Sequence, residues 1–290
     1  MPANTNGAGM PDLIVRKPFY SALKTRAHLS IGKMVSLLHR SYRFYQDANF
    51  SRYDFTGSRR SGRDIMEVER YVNDYFPRYK IEQERSADIE RLSEYYHYRK
   101  IEEAGGRSLR ICNVGCFYCG ADVHFLKGRP DSTVYGVDFG KIDELNRDIK
   151  VENLKLFPGY PLETLEAFSA DRSFKKFDYV LFTRTASLTN INELFSYMEA
   201  IGKIARNVCF LEVVKLAAYP GTKLDINKID VNRPVKMYLG IYIHNYPALL
   251  RKFGYEVVES SILPMETFDH PLTKDHNWVY VRGKKTIDTL

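Results

Sequence analysis

The sequence predicts an α/β protein with a doubly wound, mostly parallel sheet, preceded by a helical segment. After Gly105-Gly106, short runs rich in Val, Ile, Leu and aromatic residues alternate with helical patterns, as in parallel strands joined by helices. Before that pair, apolar residues recur at intervals of three and four, which is typical of amphipathic helices. We therefore expect a flexible tail over residues 1–12, a helical cap segment over residues 13–106 and an α/β domain over residues 107–290.

The composition favours a soluble, folded protein. An apolar fraction of 44% with 13% aromatic residues is enough to build a core, which excludes a wholly disordered chain. No apolar run approaches the ~18 residues of a membrane-spanning helix, and the first residues contain no secretory signal. Four cysteines in 290 residues do not form a disulfide scaffold. We therefore expect a cytoplasmic protein with no membrane partner.

The basic charge is concentrated at the N-terminal end. The chain has a formal net charge of +7, and residues 1–110 contain 20 Lys and Arg against 14 Asp and Glu. Such an excess of positive charge is typical either of a nucleic-acid-binding surface or of a helical face exposed to solvent. We favour the solvated face, because no block of Lys and Arg is longer than a pair.

Three helices are predicted in the N-terminal segment. The first covers residues 31–45, and the second has its apolar face at Ile65, Val68, Val72 and Tyr75. The third has Ser86 as its expected N-cap, with Ile89, Leu92 and Tyr96 on its inner face. Pro77 is expected to end the second helix, since proline lacks the backbone N–H that a helix interior needs.

The expected strands of the α/β domain are short apolar runs. In chain order they are Leu109–Val114, Thr133–Val137, Leu154–Phe157, Phe177–Phe182, Val208–Val214, Tyr255–Ser261 and Asn277–Val281. A helix with an apolar face is expected over residues 191–205. Another helix is expected after Asn245, which can cap it, with Pro247 in its first turn and Gly254 closing it.

A glycine and an acid follow the first two strands. Gly115 ends the first strand and lets the backbone approach a ligand closely, while Asp138 ends the second. Such an acid can accept hydrogen bonds from both hydroxyls of a ribose, and the 23-residue separation is close to the ~20 expected. The pattern therefore indicates a nucleoside-binding site.

These motifs resemble the class I S-adenosylmethionine-dependent methyltransferases. The resemblance rests on Leu109–Phe139, Phe157–Tyr160, Phe177–Phe182 and Phe253–Val257. It implies a Rossmann-like, seven-stranded methyltransferase sheet whose final strand is antiparallel, S-adenosyl-L-methionine as cofactor and methyl transfer as the reaction. It also implies a cofactor site made of Asn113, Gly115, Cys116, Phe117, Tyr118, Gly120, Asp138, Phe139, Gly159, Tyr160 and Thr183.

The glycine loop departs from the family pattern. Asn113 stands where the family usually has an acid, and Phe117 and Cys119 occupy positions where it usually has glycine. A non-catalytic relative that no longer binds the cofactor is therefore an alternative.

Three cysteines support a different hypothesis. Cys112, Cys116 and Cys119 have the C-x3-C-x2-C spacing that resembles radical S-adenosylmethionine enzymes, in which three thiolates hold an iron–sulfur cluster. Cys112 lies inside a predicted strand, and the rest of the chain is short for a barrel. We keep this class as an alternative and otherwise expect the cysteines to be apolar core residues.

The methyl acceptor is expected near the ends of the fourth and fifth strands. His244 is the candidate general base, because imidazole titrates near neutral pH; a structural histidine is the alternative. Arg184, Tyr242 and Tyr246 are the candidate substrate-binding residues, and residues 215–243 are long enough to form a lid. No metal is expected, since His270, Asp275 and His276 lack a firm ligand spacing.

The combined prediction is a methyltransferase that acts on an oxygen, or a nitrogen, of a small-molecule substrate. An RNA methyltransferase is the alternative suggested by the basic N-terminal third. A homodimer is one open oligomeric state, as helical caps of this kind also serve in dimer formation.

Overall fold

The computed structural model describes most of the α/β domain and part of the segment before it. The described ranges are 57–84, 88–213, 225–236, 242–264, 267–268 and 277–286, and all of them belong to one compact unit. Several predicted features lie outside these ranges: the tail 1–12, the helix 31–45, the cap Ser86, about half of the lid segment 215–243 (residues 215–224 and 237–241), and His270, Asp275 and His276.

A seven-stranded sheet forms the centre of the unit. Its strands are β1 Arg110–Val114, β2 Thr133–Asp138, β3 Leu154–Pro158, β4 Phe177–Thr183, β5 Ala205–Val213, β8 Tyr255–Leu263 and β9 Trp278–Lys285. Two short strands, β6 Val235–Lys236 and β7 Tyr242–Ile243, form a separate ribbon.

The strand order of the sheet is β3-β2-β1-β4-β5-β9-β8. Strands β1 to β5 are parallel, and β9 is inserted antiparallel between β5 and β8. This arrangement confirms the predicted doubly wound sheet with an antiparallel last strand.

Helices cover both faces of the sheet. They are α1 Gly62–Glu84, α2 Ser93–Ala104, α3 Gly120–Gly128, α4 Ile142–Leu145, α5 Pro161–Ala170, α6 Ile191–Ile204 and α7 Tyr246–Lys252. Buried side chains of α5, α6 and α7 share one apolar cluster with the sheet, while those of α2 and α3 share a second. Alternate strand residues supply the two clusters, as in β1, where Ile111 belongs to one and Cys112 to the other. Among the described helices, none is both long and apolar enough to cross a bilayer.

Two helices begin where expected, one at the predicted cap Asn245 and one at Asn190, a cap that the sequence analysis did not name. The Asn190 side chain accepts hydrogen bonds from the backbone N–H groups at positions 192 and 193 and so begins α6. The Asn245 side chain accepts the N–H of Ala248 at 3.0 Å, with Pro247 in the first turn of α7. Gly254 follows the helix with φ +78°, a conformation that favours glycine.

The prediction that Pro77 ends its helix is wrong. Helix α1 continues through this proline to Glu84. An interior proline costs a helix about 3 kcal/mol, and packing on both sides of it offsets that cost. Phe76 and Tyr79 are buried, and their ring centroids lie 5.4 and 4.9 Å from that of Phe117.

Candidate cofactor and acceptor site

The turn after β1 is attached to the end of β2 through Asp138. Gly115 has φ +75° and donates its N–H to the carbonyl of Val137 at 2.8 Å. The Asp138 carboxylate accepts the backbone N–H of Phe117 on Oδ2 and that of Phe139 on Oδ1, both at 2.7 Å. Burial raises the pKa of Asp138 to about 7, although these two hydrogen bonds act in the opposite direction. The predicted acid is therefore a buried carboxyl that shapes the glycine turn.

A threonine lies directly against Gly115. A Cβ added to this glycine would overlap the hydroxyl of Thr185, which lies within hydrogen-bond distance of the carbonyls of Val114 (3.2 Å) and Thr183 (3.0 Å). The glycine is therefore needed for the approach of the turn after β4, a contact that sequence reasoning did not include.

Aromatic rings of α1 cover the turn after β1. The Phe117 ring lies between those of Tyr75, Phe76 and Tyr79, with centroid distances of 6.2, 5.4 and 4.9 Å. Phe117 also has φ +48°, an unusual conformation for a residue with a side chain. The ring therefore packs against the helical segment in this structure.

A buried ion pair contacts the residues that follow β2 and β3. The Arg60 guanidinium forms two hydrogen bonds with the Glu193 carboxylate, Nε to Oε1 at 2.9 Å and Nη2 to Oε2 at 3.0 Å. The Tyr160 hydroxyl donates to the same carboxylate at 2.7 Å. Burial raises the pKa of Glu193, and Arg60 opposes that effect. The side chains of Arg60 and Glu193 are only 3% and 1% exposed, so the pair is removed from water.

The same arginine covers a predicted cofactor residue. Phe139 and Tyr160 stack with a centroid distance of 5.5 Å and an interplanar angle of 24°. The Arg60 guanidinium lies 5.6 Å from the centroid of the Phe139 ring. Two of the predicted cofactor residues, Phe139 and Tyr160, therefore contact each other, and the Arg60 guanidinium lies over one of them.

The turn after β4 is held by a second buried acid. Glu212, on β5, accepts the backbone N–H groups of Thr185 (3.1 Å), Ala186 (2.8 Å) and Ser187 (3.2 Å). Burial raises the pKa of Glu212 to about 7, against the effect of these hydrogen bonds. Sequence reasoning missed this residue, although an acid within the apolar run Val208–Val214 is an unusual feature that points to it.

His244 supports the same turn from the other side. Its Nε2 atom lies 3.2 Å from the carbonyl of Ala186 and 2.9 Å from that of Thr189. Because both partners are acceptors, Nε2 carries the proton and Nδ1 has the lone pair. Nδ1 is buried and has no hydrogen-bond partner among the described residues. Burial lowers the pKa of His244 to about 4, although the two carbonyls favour the protonated form.

The candidate substrate residues fall into two groups. The rings of Tyr242 and Tyr246 lie 6.0 and 5.7 Å from that of His244, so these three predicted residues do come together. Arg184 instead has φ +54° and contacts the Tyr79 hydroxyl and the Glu94 carboxylate through Nη2. It therefore links the end of β4 to α1 and α2.

Three other predicted cofactor residues, Asn113, Gly120 and Gly159, each have different neighbours. The Asn113 amide donates to the buried carboxylate of Asp122 on α3 at 2.9 Å. Gly120 begins α3, and a Cβ added at this position would overlap the Tyr118 ring. Gly159 has φ +119°, and no heavy atom lies within 4 Å of the position of an added Cβ.

The cysteines do not form a cluster site, so the radical-enzyme alternative is wrong. The open, doubly wound sheet is not the barrel that this class requires. Cys112 lies in the apolar core, and Cys116 packs against Gly136 of β2. All four cysteines are free and buried, and no three His, Cys, Asp or Glu side chains of the described ranges are grouped to hold a metal ion.

Comparison with known proteins gives matches to solved structures but none by sequence. No protein-family model matches the chain, and no curated protein matches it by sequence. The N-methyltransferase NodS from Bradyrhizobium japonicum, solved with S-adenosyl-L-homocysteine, is similar with a TM-score of 0.50 and 6% identity over 76% of this chain and 98% of that chain.

Two further solved structures have TM-scores of 0.48. One is a TehB-like SAM-dependent methyltransferase from Corynebacterium glutamicum, with 14% identity over 74% of this chain and 99% of that one. The other is a putative O-methyltransferase from Nostoc punctiforme, with 10% identity over 74% of this chain and 60% of that one.

The strand order and the likeness to NodS together define the fold. This chain has the Rossmann-like, seven-stranded fold of the class I methyltransferases.

Proposed function

We propose that the chain is an S-adenosylmethionine-dependent methyltransferase that acts on an oxygen, or a nitrogen, of a small molecule. The observation that carries this proposal is the buried carboxyl of Asp138 at the carboxyl end of β2, beside the Gly115 turn, in a sheet with the methyltransferase strand order. In this class, the cofactor supplies an electrophilic methyl group on a sulfonium. The chain must bind that cofactor, align the acceptor with it and, for a hydroxyl, remove a proton.

The residues around Asp138 fit a nucleoside in their chemistry. Each carboxylate oxygen has two acceptor sites, so the Asp138 oxygens retain capacity beyond their hydrogen bonds to Phe117 and Phe139. The Phe139 ring is an apolar group on which a base could stack once Arg60 has moved, and Gly159 has open space where a side chain would otherwise lie. These residues would hold the ribose and the base of the cofactor.

The helical segment must move for this binding to occur. Phe139 stacks with Tyr160, and the Arg60 guanidinium lies over its ring, so both groups occupy space in which a base would stack. We infer that cofactor entry displaces Arg60, and with it the start of α1, from Phe139.

On the acceptor side, we propose His244 as the group that removes the proton, with Tyr242, Tyr246 and Arg184 as substrate-binding residues. Only Nδ1 of His244 can act as the base, because Nε2 donates to the turn after β4. A pKa of about 4 keeps the imidazole neutral at pH 7 but makes it a weak base. The same contacts support a purely positioning role, so the test must separate the two.

Titration calorimetry with S-adenosyl-L-homocysteine tests the cofactor proposal. We expect the wild-type protein to bind, Asp138→Asn to bind at least tenfold more weakly, and Asp143→Asn, a change of an exposed acid on α4, to bind like wild type. Absence of heat and of a thermal shift with the wild-type protein would reject the enzyme proposal.

That negative result would favour the second candidate, a non-catalytic relative. Two observations support it: Phe117 and Cys119 stand at glycine positions of the family loop, and Arg60 covers Phe139. In that case the closed arrangement is the functional state of the protein.

Two substitutions separate the roles of His244. Gln at this position retains an N–H donor for the Ala186 and Thr189 carbonyls but cannot act as a base at neutral pH, whereas Ala removes both functions. A catalytic base predicts that His244→Gln lowers kcat by ~10²–10⁴ without loss of the fold. A positioning role predicts near-normal kcat for His244→Gln and a loss only for His244→Ala.

We further propose a cytoplasmic location, because all four cysteines are free and buried. The alternative RNA acceptor predicts a salt-sensitive gel shift with RNA at low ionic strength, and a small-molecule enzyme predicts none.

A further inference from the structure

A basic cleft lies at the edge of the sheet opposite the proposed methyl-transfer site. It is an open depression of about 470 Å³ where β1, β4 and β5 begin, whereas Asp138 and Thr183 lie where strands end. Its charged lining residues are Arg107, Arg110, Lys175, Lys176, Asp178 and Arg206. We call it the amino-end cleft. No part of the proposed methyl-transfer reaction uses these residues.

One arginine of the amino-end cleft is held in place by its surroundings. The Arg110 guanidinium carbon lies 5.0, 5.3 and 5.9 Å from the ring centroids of Tyr135, Phe174 and Phe177. Its Nη2 donates to the carbonyl of Lys175 at 3.1 Å. A guanidinium fixed by rings and a carbonyl loses little conformational entropy when it binds an anion.

The single acid of the cleft lining is already neutralised. Asp178 accepts the backbone N–H of Arg110 on Oδ2 at 2.8 Å and pairs with Arg206 through Oδ1 at 2.7 Å. Arg107 and Lys175 are exposed and form no ion pair with any residue of the described ranges. The cleft therefore has an excess of positive charge that the described residues leave uncompensated.

The shape favours a compact ligand over a long polyanion. The volume lies within the ~300–1,000 Å³ range of small-molecule sites. Exposed carboxylates flank the basic residues: Asp131 accepts the N–H of Ser108 at 3.1 Å, and Asp171 precedes Lys175 in the adjoining turn. An extended nucleic-acid backbone that runs beyond the cleft would pass these negative charges, whereas a short chain of phosphates can remain beside the basic residues.

We propose that the amino-end cleft is a binding site for a compact polyphosphate group, such as the phosphate chain of a nucleoside triphosphate. Arg107, Arg110 and Lys175 provide the cationic contacts. Arginine and lysine are the side chains that recognise phosphate oxygens, through charge-assisted hydrogen bonds. The site is independent of the cofactor end of the sheet.

Titration of the full chain with inorganic tripolyphosphate at 150 mM salt tests this proposal. We expect saturable 1:1 binding that is at least tenfold weaker in the variant Arg107→Glu/Lys175→Glu. The matched control Arg233→Glu/Arg251→Glu alters the net charge equally at two other exposed arginines and should bind like wild type. The same titration with ATP distinguishes free polyphosphate from a nucleotide as the source of the group.

Three outcomes would overturn the proposal: no saturable binding to wild type, equal weakening in the control variant, or tighter binding of a 20-nucleotide RNA than of tripolyphosphate. A thermal unfolding curve of each variant shows whether it is folded. If the double variant does not fold, Lys175→Ala replaces it, with at least threefold weaker binding expected and wild-type affinity contradicting the proposal. Binding of S-adenosyl-L-homocysteine is measured separately, so failure of one proposal does not affect the other.

Discussion

Replacing Asp138 with Asn should stabilise the protein at alkaline pH while it weakens nucleoside binding. The carboxyl is 6% exposed, and burial raises its pKa from the ordinary value of 3.8 to about 7. Asn has nearly the same shape as the protonated acid and carries no charge at any pH, so it removes the cost of a buried carboxylate without opening a cavity. Its amide nitrogen cannot accept a hydrogen bond, however, so the N–H of either Phe117 or Phe139 loses its acceptor, at a pH-independent cost of ~1–3 kcal/mol.

The size and sign of this effect follow from the two pKa values. The unfolded chain releases the Asp138 proton near pH 4, whereas the native chain releases it near pH 7. Between these values the native state binds more protons, so the wild-type free energy of unfolding falls as pH rises. Each pKa unit corresponds to ~1.4 kcal/mol, so the wild type loses roughly 4 kcal/mol between pH 3.5 and pH 8 through this group.

Urea unfolding of both proteins at pH 4.5, 6 and 8 measures the difference. We expect the free energy of unfolding of Asp138→Asn, relative to that of wild type, to increase by about 3 kcal/mol from pH 4.5 to pH 8. The pH-independent loss from the unpaired N–H is subtracted at every pH, so the variant is more stable than wild type only at the alkaline end. Glu212 has a similarly raised pKa but is present in both proteins, so its contribution cancels. If the free energies of unfolding of the two proteins change in parallel with pH, or if the variant is the less stable protein at pH 8, the predicted role of the buried Asp138 carboxylate is wrong.

Two other predictions concern the buried ion pair and the turn after β1. Arg60→Ala should lower the free energy of unfolding by ~3–5 kcal/mol, because it leaves Glu193 buried without its cation, and Arg60→Met/Glu193→Met should recover most of that loss. A loss under 1 kcal/mol in urea unfolding would contradict this. Gly115→Ala should cost ~1–2 kcal/mol for its φ of +75° alone, and more from overlap with Thr185. The helical control Gly128→Ala, which meets no heavy atom within 4 Å, should be neutral or stabilising by thermal melting.

The fold could be predicted because its signals are local. The five parallel strands are mostly short apolar runs, and the Asn245 cap and Gly254 mark the ends of α7 within a few residues of sequence. The acid at the end of β2 was also found, since the separation of Gly115 and Asp138 reflects one strand–helix–strand unit.

The interior of the site could not be predicted, because its partners are far apart in the chain. Arg60 and Glu193 are 133 residues apart, and no local pattern pairs them. The path of α1 through Pro77 depends on rings that pack on Phe117 from a distant turn. Sequence reasoning reserved the space beside Gly115 for a ligand, where the structure has Thr185.

The two halves of the proposed site are held by different means, and this has a kinetic consequence. Glu212 orders the turn after β4 from within β5, so this half is complete before any ligand arrives. Arg60 lies over Phe139 in the other half and must leave before a base can stack there. A unimolecular opening step then precedes association, and the observed rate constant should reach a plateau as ligand concentration increases in a stopped-flow experiment.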